Sequence, residues 1–127
     1  MEPHDVPATL AALAELRVSA ATTELDAAAA MPVLADFNDC IVGTVRFSGQ
    51  TPWERHPGDE LLYIVEGSVD VTVLLDDAAH DATLNTGSVF VGPRGAMAPP
   101  GSAPRSVPHV RHTRPGDRCF LVGGSSP

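Results

Sequence analysis

Residues 52–75, PWERHPGDELLYIVEGSVDVTVLL, contain the pattern on which the fold prediction rests. The run VDVTV at 69–73 alternates valine with polar residues, and this period of two predicts a strand with one buried face. A second strand is predicted over Glu60–Glu66, separated from the first by a turn at Gly67. The stretch therefore indicates a β-rich protein.

Similar short strands, with turn residues about every ten positions, extend on both sides of this stretch. Many short antiparallel strands of this kind are typical of a sandwich or a small barrel. The further elements predicted from Cys40 onward are strands at 41–47, 83–85 and 88–91 and a polar loop at 76–80.

Two short helices are predicted before the strands. Leucines three residues apart predict a helix over 8–16, and the alanine-rich segment 24–31 predicts a second helix that stops before Pro32. Residues 1–38 are therefore interpreted as a helical arm that precedes the strands.

Length and charge restrict the class of protein. A chain of 127 residues corresponds to one domain, and its net charge of −8 disfavours nucleic acid and anionic membranes as partners. No apolar run is long enough to span a bilayer, and the first residues are acidic where a secretory signal would be basic. A cytoplasmic protein is expected. Cys40 and Cys119 lie too far apart for a zinc knuckle and are expected to be buried small apolar residues.

Three residues in the deciding stretch can ligate a metal. Glu54 and His56 are two apart, so both side chains leave the same face of an extended segment. After a turn at 57–58, Glu60 begins the next strand. One imidazole and two carboxylates suit Zn, Mn, Fe or Ni. The plain alternative is a solvated loop between strands whose charges have no function.

This stretch resembles the first cupin motif, which has glycine, two histidines one residue apart, a glutamate and, after six more residues, a glycine. Glu60, the six residues LLYIVE and Gly67 match the end of the motif, and His56 matches the second histidine. Glu54 stands in the place of the first histidine. Gly49, the match to the first glycine, is one residue closer than usual.

The second cupin motif has the pattern glycine, five residues, proline, one residue, glycine, two residues, histidine. Gly87, Pro93 and Gly95 match it in the string GSVFVGPRG. Two motifs in the right order are more specific than either alone. The resemblance covers about residues 40–98 and implies a small single-domain cupin of the conserved-barrel type. It implies an all-β jelly-roll barrel over 40–96, and a homodimer.

The departure from the second motif lies at Ala98, which stands where the family has a metal-binding histidine. Alanine has no lone pair, so Glu54, His56 and Glu60 remain as a set of three ligands with lower expected affinity. Two functions follow. One is a barrel that binds a divalent metal, a small polar molecule or both; whether it is an enzyme stays open. The other is a non-catalytic binding or sensing module, or a cupin that has lost its metal site.

The composition changes near Arg94. Residues 94–127 contain five of the eight arginines, six of the 12 prolines and one of the 16 acidic residues. We expect 97–118 to be irregular, because proline cannot donate a hydrogen bond to a strand ladder. Residues 120–122 are expected to form a short edge strand. His109 and His112 would replace the missing ligand only if this tail folded back. The Pro- and Arg-rich tail at 97–127 has two interpretations: a naturally variable tail, or translation in a shifted frame.

The shifted-frame interpretation rests on the codons at 97 and 98. Methionine has only ATG and alanine codons begin with G, so reading one base later gives tryptophan at 97. The next shifted codon is C-N-C, which encodes histidine for one of the four bases. Related cupins often have arginine, glycine, a variable residue, tryptophan and histidine here, so the shift restores the missing histidine.

Sequencing of the genomic locus tests this hypothesis. The expected result is a one-base difference near the codon for Met97, after which the reading frame encodes tryptophan and histidine. A gene that encodes Met97 and Ala98 in frame with the upstream motifs contradicts it.

Overall fold

The computed structural model describes residues 2–38, 40–49, 54–55, 58–94, 97–98 and 118–124, and it consists mostly of β-strands with two short helices. This confirms the all-β class predicted above. In chain order the elements are α1 (Val6–Ala12), β1 (Leu16–Val18), α2 (Glu24–Ala30), β2 (Val33–Phe37), β3 (Cys40–Gly49), β4 (Glu54–Arg55), β5 (Glu60–Glu66), β6 (Ser68–Leu75), β7 (Ala78–Asn85), β8 (Val89–Gly92), β9 (Met97–Ala98) and β10 (Arg118–Gly124).

The described strands form two sheets. The first has the order β1-β3-β10-β5-β8, with β2 also paired to β3, and the second has the order β4-β9-β6-β7. Most neighbouring strands are antiparallel, but β1 is parallel to β3, and β10 is parallel to both β3 and β5. None of the helices within the described residues has the length and apolar character needed to span a bilayer.

The hydrophobic core joins the two sheets face to face. Its buried residues come from β3 and β5 of the first sheet and from β6 and β7 of the second. They are every second residue along each strand, which confirms the alternation predicted for 69–73. The members are Val45, Phe47, Leu62, Ile64, Val69, Val71, Val73 and Leu84.

The first helix is shorter than the sequence predicts. The Asp5 carboxylate accepts a hydrogen bond from the backbone N–H of Ala8 (2.9 Å), so α1 begins at Val6 and ends at Ala12. The prediction of a helix through residue 16 is wrong, because Leu16 lies in β1, where it pairs with Phe47 of β3. Sheet pairing has overridden a helical spacing of leucines.

The second helix agrees with the prediction to within one residue. It covers Glu24–Ala30, and Thr23 and Asp26 form a reciprocal capping box at its start. The Thr23 hydroxyl accepts from the Asp26 N–H, and the Asp26 carboxylate accepts from the Thr23 N–H.

The hairpin between β6 and β7 corrects the predicted loop at 76–80. The turn is only Asp76 and Asp77, both with positive φ (50° and 61°), and β7 already begins at Ala78. Aspartate tolerates the left-handed region better than most residues, so a two-residue turn forms without glycine. His80 lies in β7 and is exposed, as expected for a surface residue.

The tail also differs from its prediction. Residues 97–98 form β9, and the C-terminal strand covers 118–124 rather than 120–122. It lies between β3 and β5 rather than at an edge, because a strand there can pair its backbone on both sides. The prolines at 99, 100, 104 and 108 lie outside the described residues.

Gly49 provides a test of the β1–β3 pairing. Its φ is +97°, and a Cβ at this position would overlap the carbonyl oxygen of Val18. We expect Gly49→Ala to lower the free energy of unfolding by at least about 3 kcal/mol, measured by urea denaturation followed by circular dichroism.

Gly87→Ala is the matched control, because Gly87 also has a positive φ (+85°) but open space around the added Cβ. We expect a loss of roughly 1–2 kcal/mol from backbone strain alone. Equal losses in the two variants would contradict the close approach of β1 to Gly49.

Candidate functional site

Glu60 lies on the inner face of β5. It shares that face with Leu62 and Ile64, which are both core residues, and it is only 5% exposed. Among the residues whose exposure the structure describes it is the one buried acidic residue, and its Oε1 is buried away from water. A carboxylate in an apolar interior is costly as a bare charge, so it binds a cation, accepts hydrogen bonds or becomes protonated. This position therefore suits a ligand or a proton-transfer group.

The neighbouring strand has a glycine beside Glu60. Gly92 of β8 is directly opposite Glu60, and a Cβ built on Gly92 would lie 3.9 Å from the Cβ of Glu60. Because directly opposed residues share a face of the sheet, a larger residue at 92 would project beside the carboxylate. With glycine at this position, β8 places no side chain directly opposite Glu60.

A hydrogen bond holds the same end of the β5–β8 pair. The backbone N–H of Arg94 donates to Oδ1 of Asp59 (2.8 Å), which joins the residue before β5 to the segment after β8. The two residues are 35 positions apart in the chain. Sequence analysis missed this contact, because no local pattern pairs residues so distant.

Glu54 is the direct cross-strand partner of Ala98. The two residues oppose each other in the antiparallel pair of β4 with β9. The backbone of Glu54, the first candidate ligand, therefore lies next to Ala98, the position at which the second cupin motif has its histidine.

The three candidate ligands are described to different extents. Glu60 is placed with its side chain, Glu54 by its backbone, and His56 lies outside the described residues. Glu54 and Glu60 are in different sheets, because β4 belongs to the second sheet and β5 to the first. Within the residues the structure describes, no three His, Cys, Asp or Glu side chains form a metal-binding group. Convergence of the three ligands thus stays a prediction.

The structure also shows the burial or exposure of several other residues. Cys40 is buried, as expected, and Phe90 packs against the core. Tyr63 lies on the outer face with 40% exposure, because it alternates with Leu62 and Ile64. Glu66 is exposed. His109, His112 and Trp53 lie outside the described residues.

The chain has no match among family models, curated proteins or solved structures. The site is therefore interpreted from its own geometry and from the motifs described above.

Ala98→His tests the cross-strand position. The new imidazole would be the direct neighbour of Glu54, so we expect affinity for Ni²⁺ or Zn²⁺ to rise about tenfold or more in isothermal titration calorimetry. Ala35→His is the control, since Ala35 is exposed on β2 and the same substitution there adds only a surface histidine. Equal affinities in the two variants would mean that residue 98 does not adjoin a metal site.

Proposed function

We propose that this chain is a cupin-like jelly-roll protein that binds a divalent metal, a small polar molecule, or both between its two sheets. Glu54, His56 and Glu60 are the proposed ligands. The observation that carries the proposal is the burial of the Glu60 carboxylate beside a core cluster built from apolar residues. The specific activity remains open.

The strand order supports the jelly-roll part of the proposal. In a jelly roll of eight strands, the first, eighth, third and sixth strands form one sheet, and the second, seventh, fourth and fifth form the other. Counted from β3, the orders β3-β10-β5-β8 and β4-β9-β6-β7 follow this scheme. The departure is the direction of β10, which is parallel to β3 and β5 where a jelly roll has antiparallel neighbours. This parallel strand lies after residue 97, in the part of the chain that the shifted-frame hypothesis treats as translated in a different reading frame.

The donor set fits a borderline divalent ion. Two carboxylates and one imidazole are ligands of Zn, Mn, Fe and Ni, and fewer than four protein ligands leave positions for water or substrate. A bound ion would supply Lewis-acid activation of a small polar substrate, water or dioxygen. The chain's own contribution is to hold Glu60 in the buried interior, directly opposite a residue without a side chain, Gly92.

A second candidate function is a barrel without metal that binds or senses a small molecule. Ala98 favours this alternative, because it stands directly opposite Glu54 and cannot coordinate an ion. In that case Glu60 would interact with the bound molecule through hydrogen bonds or as a protonated acid.

Metal analysis of the purified protein separates the two functions. We expect about one equivalent of a divalent metal after dialysis against metal-free buffer, measured by inductively coupled plasma mass spectrometry. Glu60→Gln keeps the side chain's size but removes its charge, so we expect the metal content to fall at least about tenfold.

Glu2→Gln is the control, because Glu2 is exposed in the segment before α1 and the same substitution there leaves the interior unchanged. Protein without metal, even after addition of Zn²⁺, Mn²⁺, Fe²⁺ or Ni²⁺, would contradict the metal-binding proposal and favour the second function. Loss of metal in Glu2→Gln as well would contradict the role of Glu60.

A further inference from the structure

The two strands that flank β5 place different residues beside Glu60. Strand β8 places Gly92 opposite it, and strand β10 places Cys119 beside it on the other side. Glycine has no side chain, so Cys119 is the flanking residue that has a functional group. The strand order therefore combines a thiol from the C-terminal part of the chain with a carboxylate from its middle.

Pairing on both sides of β10 sets the position of Cys119. Its backbone pairs with Ile41 of β3 on one side and with Glu60 of β5 on the other. The register against β5 is regular from Cys119 to Gly123, and its irregularity falls between Gly123 and Gly124, at the far end of the strand. A slip of β10 by one residue would change both registers. Ile41, Cys119 and Glu60 thus belong to one row across the first sheet.

We propose that Cys119 is a metal ligand, and that its thiolate and the Glu60 carboxylate bind the same divalent ion. This inference rests on the proposed function and adds a sulfur ligand to its donor set of Glu54, His56 and Glu60. The ion class becomes narrower as a result, because thiolate ligands select Zn²⁺ while carboxylates suit Mn²⁺.

A divalent ion complements both groups of this pair. The Glu60 side chain is 5% exposed beside an apolar core cluster, where a bare charge is costly. A thiol at the adjacent position supplies no positive charge, and a thiolate adds a second negative charge. Zinc takes both carboxylate oxygen and cysteine sulfur as ligands, and the thiolate is the form that binds. The burial of Glu60 is independent of the cysteine, and both observations indicate a bound cation.

The residue before Cys119 shows what another register would supply. Arg118 pairs with Cys40 of β3, one position away from the row of Ile41 and Cys119. A shift of β10 by one residue against β5 would bring Arg118 beside Glu60, where a guanidinium would form an ion pair with the carboxylate. In the observed register β10 provides a metal ligand at this position and not an opposite charge.

Absorption spectroscopy of the full chain loaded with Co²⁺ tests the proposal. Co²⁺ replaces Zn²⁺ in such sites, and a thiolate ligand gives a sulfur-to-cobalt charge-transfer band in the near ultraviolet that oxygen and nitrogen ligands do not give. With a phosphine reductant present, we expect the wild-type chain to show this band at about one equivalent of Co²⁺. Cys119→Ser should lose the band and bind Zn²⁺ at least about tenfold more weakly.

Cys40→Ser is the matched control. Cys40 is the other cysteine of the chain, its thiol is buried and not in a disulfide, and it lies beside Arg118 instead of Glu60. We expect Cys40→Ser to keep the band and the Zn²⁺ affinity. Because the chain has two cysteines, a band kept in this variant assigns the sulfur to Cys119 even where a substitution at 119 prevents folding, which circular dichroism shows.

Cys119→Asp exchanges the sulfur ligand for an oxygen ligand. We expect this variant to lose the band but still bind metal, with its preference for Zn²⁺ over Mn²⁺ reduced about threefold or more in isothermal titration calorimetry. A residue with a merely structural role would not change this ratio.

Four results would overturn the inference. A wild-type chain that binds Co²⁺ without the band would leave the proposed function intact and remove Cys119 from the site. A band lost in Cys40→Ser, or kept in Cys119→Ser, would assign the sulfur to the wrong cysteine. An unchanged Zn²⁺ to Mn²⁺ ratio in Cys119→Asp would show that residue 119 does not contact the ion. A chain that binds no divalent ion would contradict the proposed function itself, so the two failures are distinguishable.

Discussion

The packing of two sheets through alternating apolar rows is the constraint on which the rest of this structure depends. A strand has only two faces, so with Leu62 and Ile64 in the core, position 60 of β5 faces the interior as well. Glu60 belongs to that row and is buried with it. The interior carboxylate is thus a consequence of register, and shifting β5 by one residue would place it in water.

The surroundings of Glu60 decide what a buried carboxylate can do. Gly92 on the opposing strand has no side chain, and the hydrogen bond from Arg94 to Asp59 holds the strand ends together on that side. A charged group in a dry interior interacts more strongly with a cation or a polar ligand than it would in water. Burial of a carboxylate lowers the stability of the folded state, so its presence in the interior indicates a role in binding.

The C-terminal part of the chain shows where local patterns and tertiary pairing conflict. Its composition indicates a segment with little strand propensity, yet 118–124 pairs with β3 on one side and β5 on the other. Its order in the sheet follows the jelly-roll scheme, while its direction does not. Backbone pairing depends on an available position between two strands more than on side-chain chemistry, so the sequence predicted a strand at 120–122 but not its full length or its place between β3 and β5.

The sequence by itself determined the β-rich class, the strand Glu60–Glu66, the alternation in β6 and the candidate ligands, because these depend on spacing within a few residues. Only the tertiary structure decided that Leu16 joins a strand, that the backbone of Glu54 pairs with that of Ala98, and that β8 pairs with β5 alone among the described residues. These features join residues distant in the chain. They follow from strand order and register, which one sequence encodes only through the packing of the whole core.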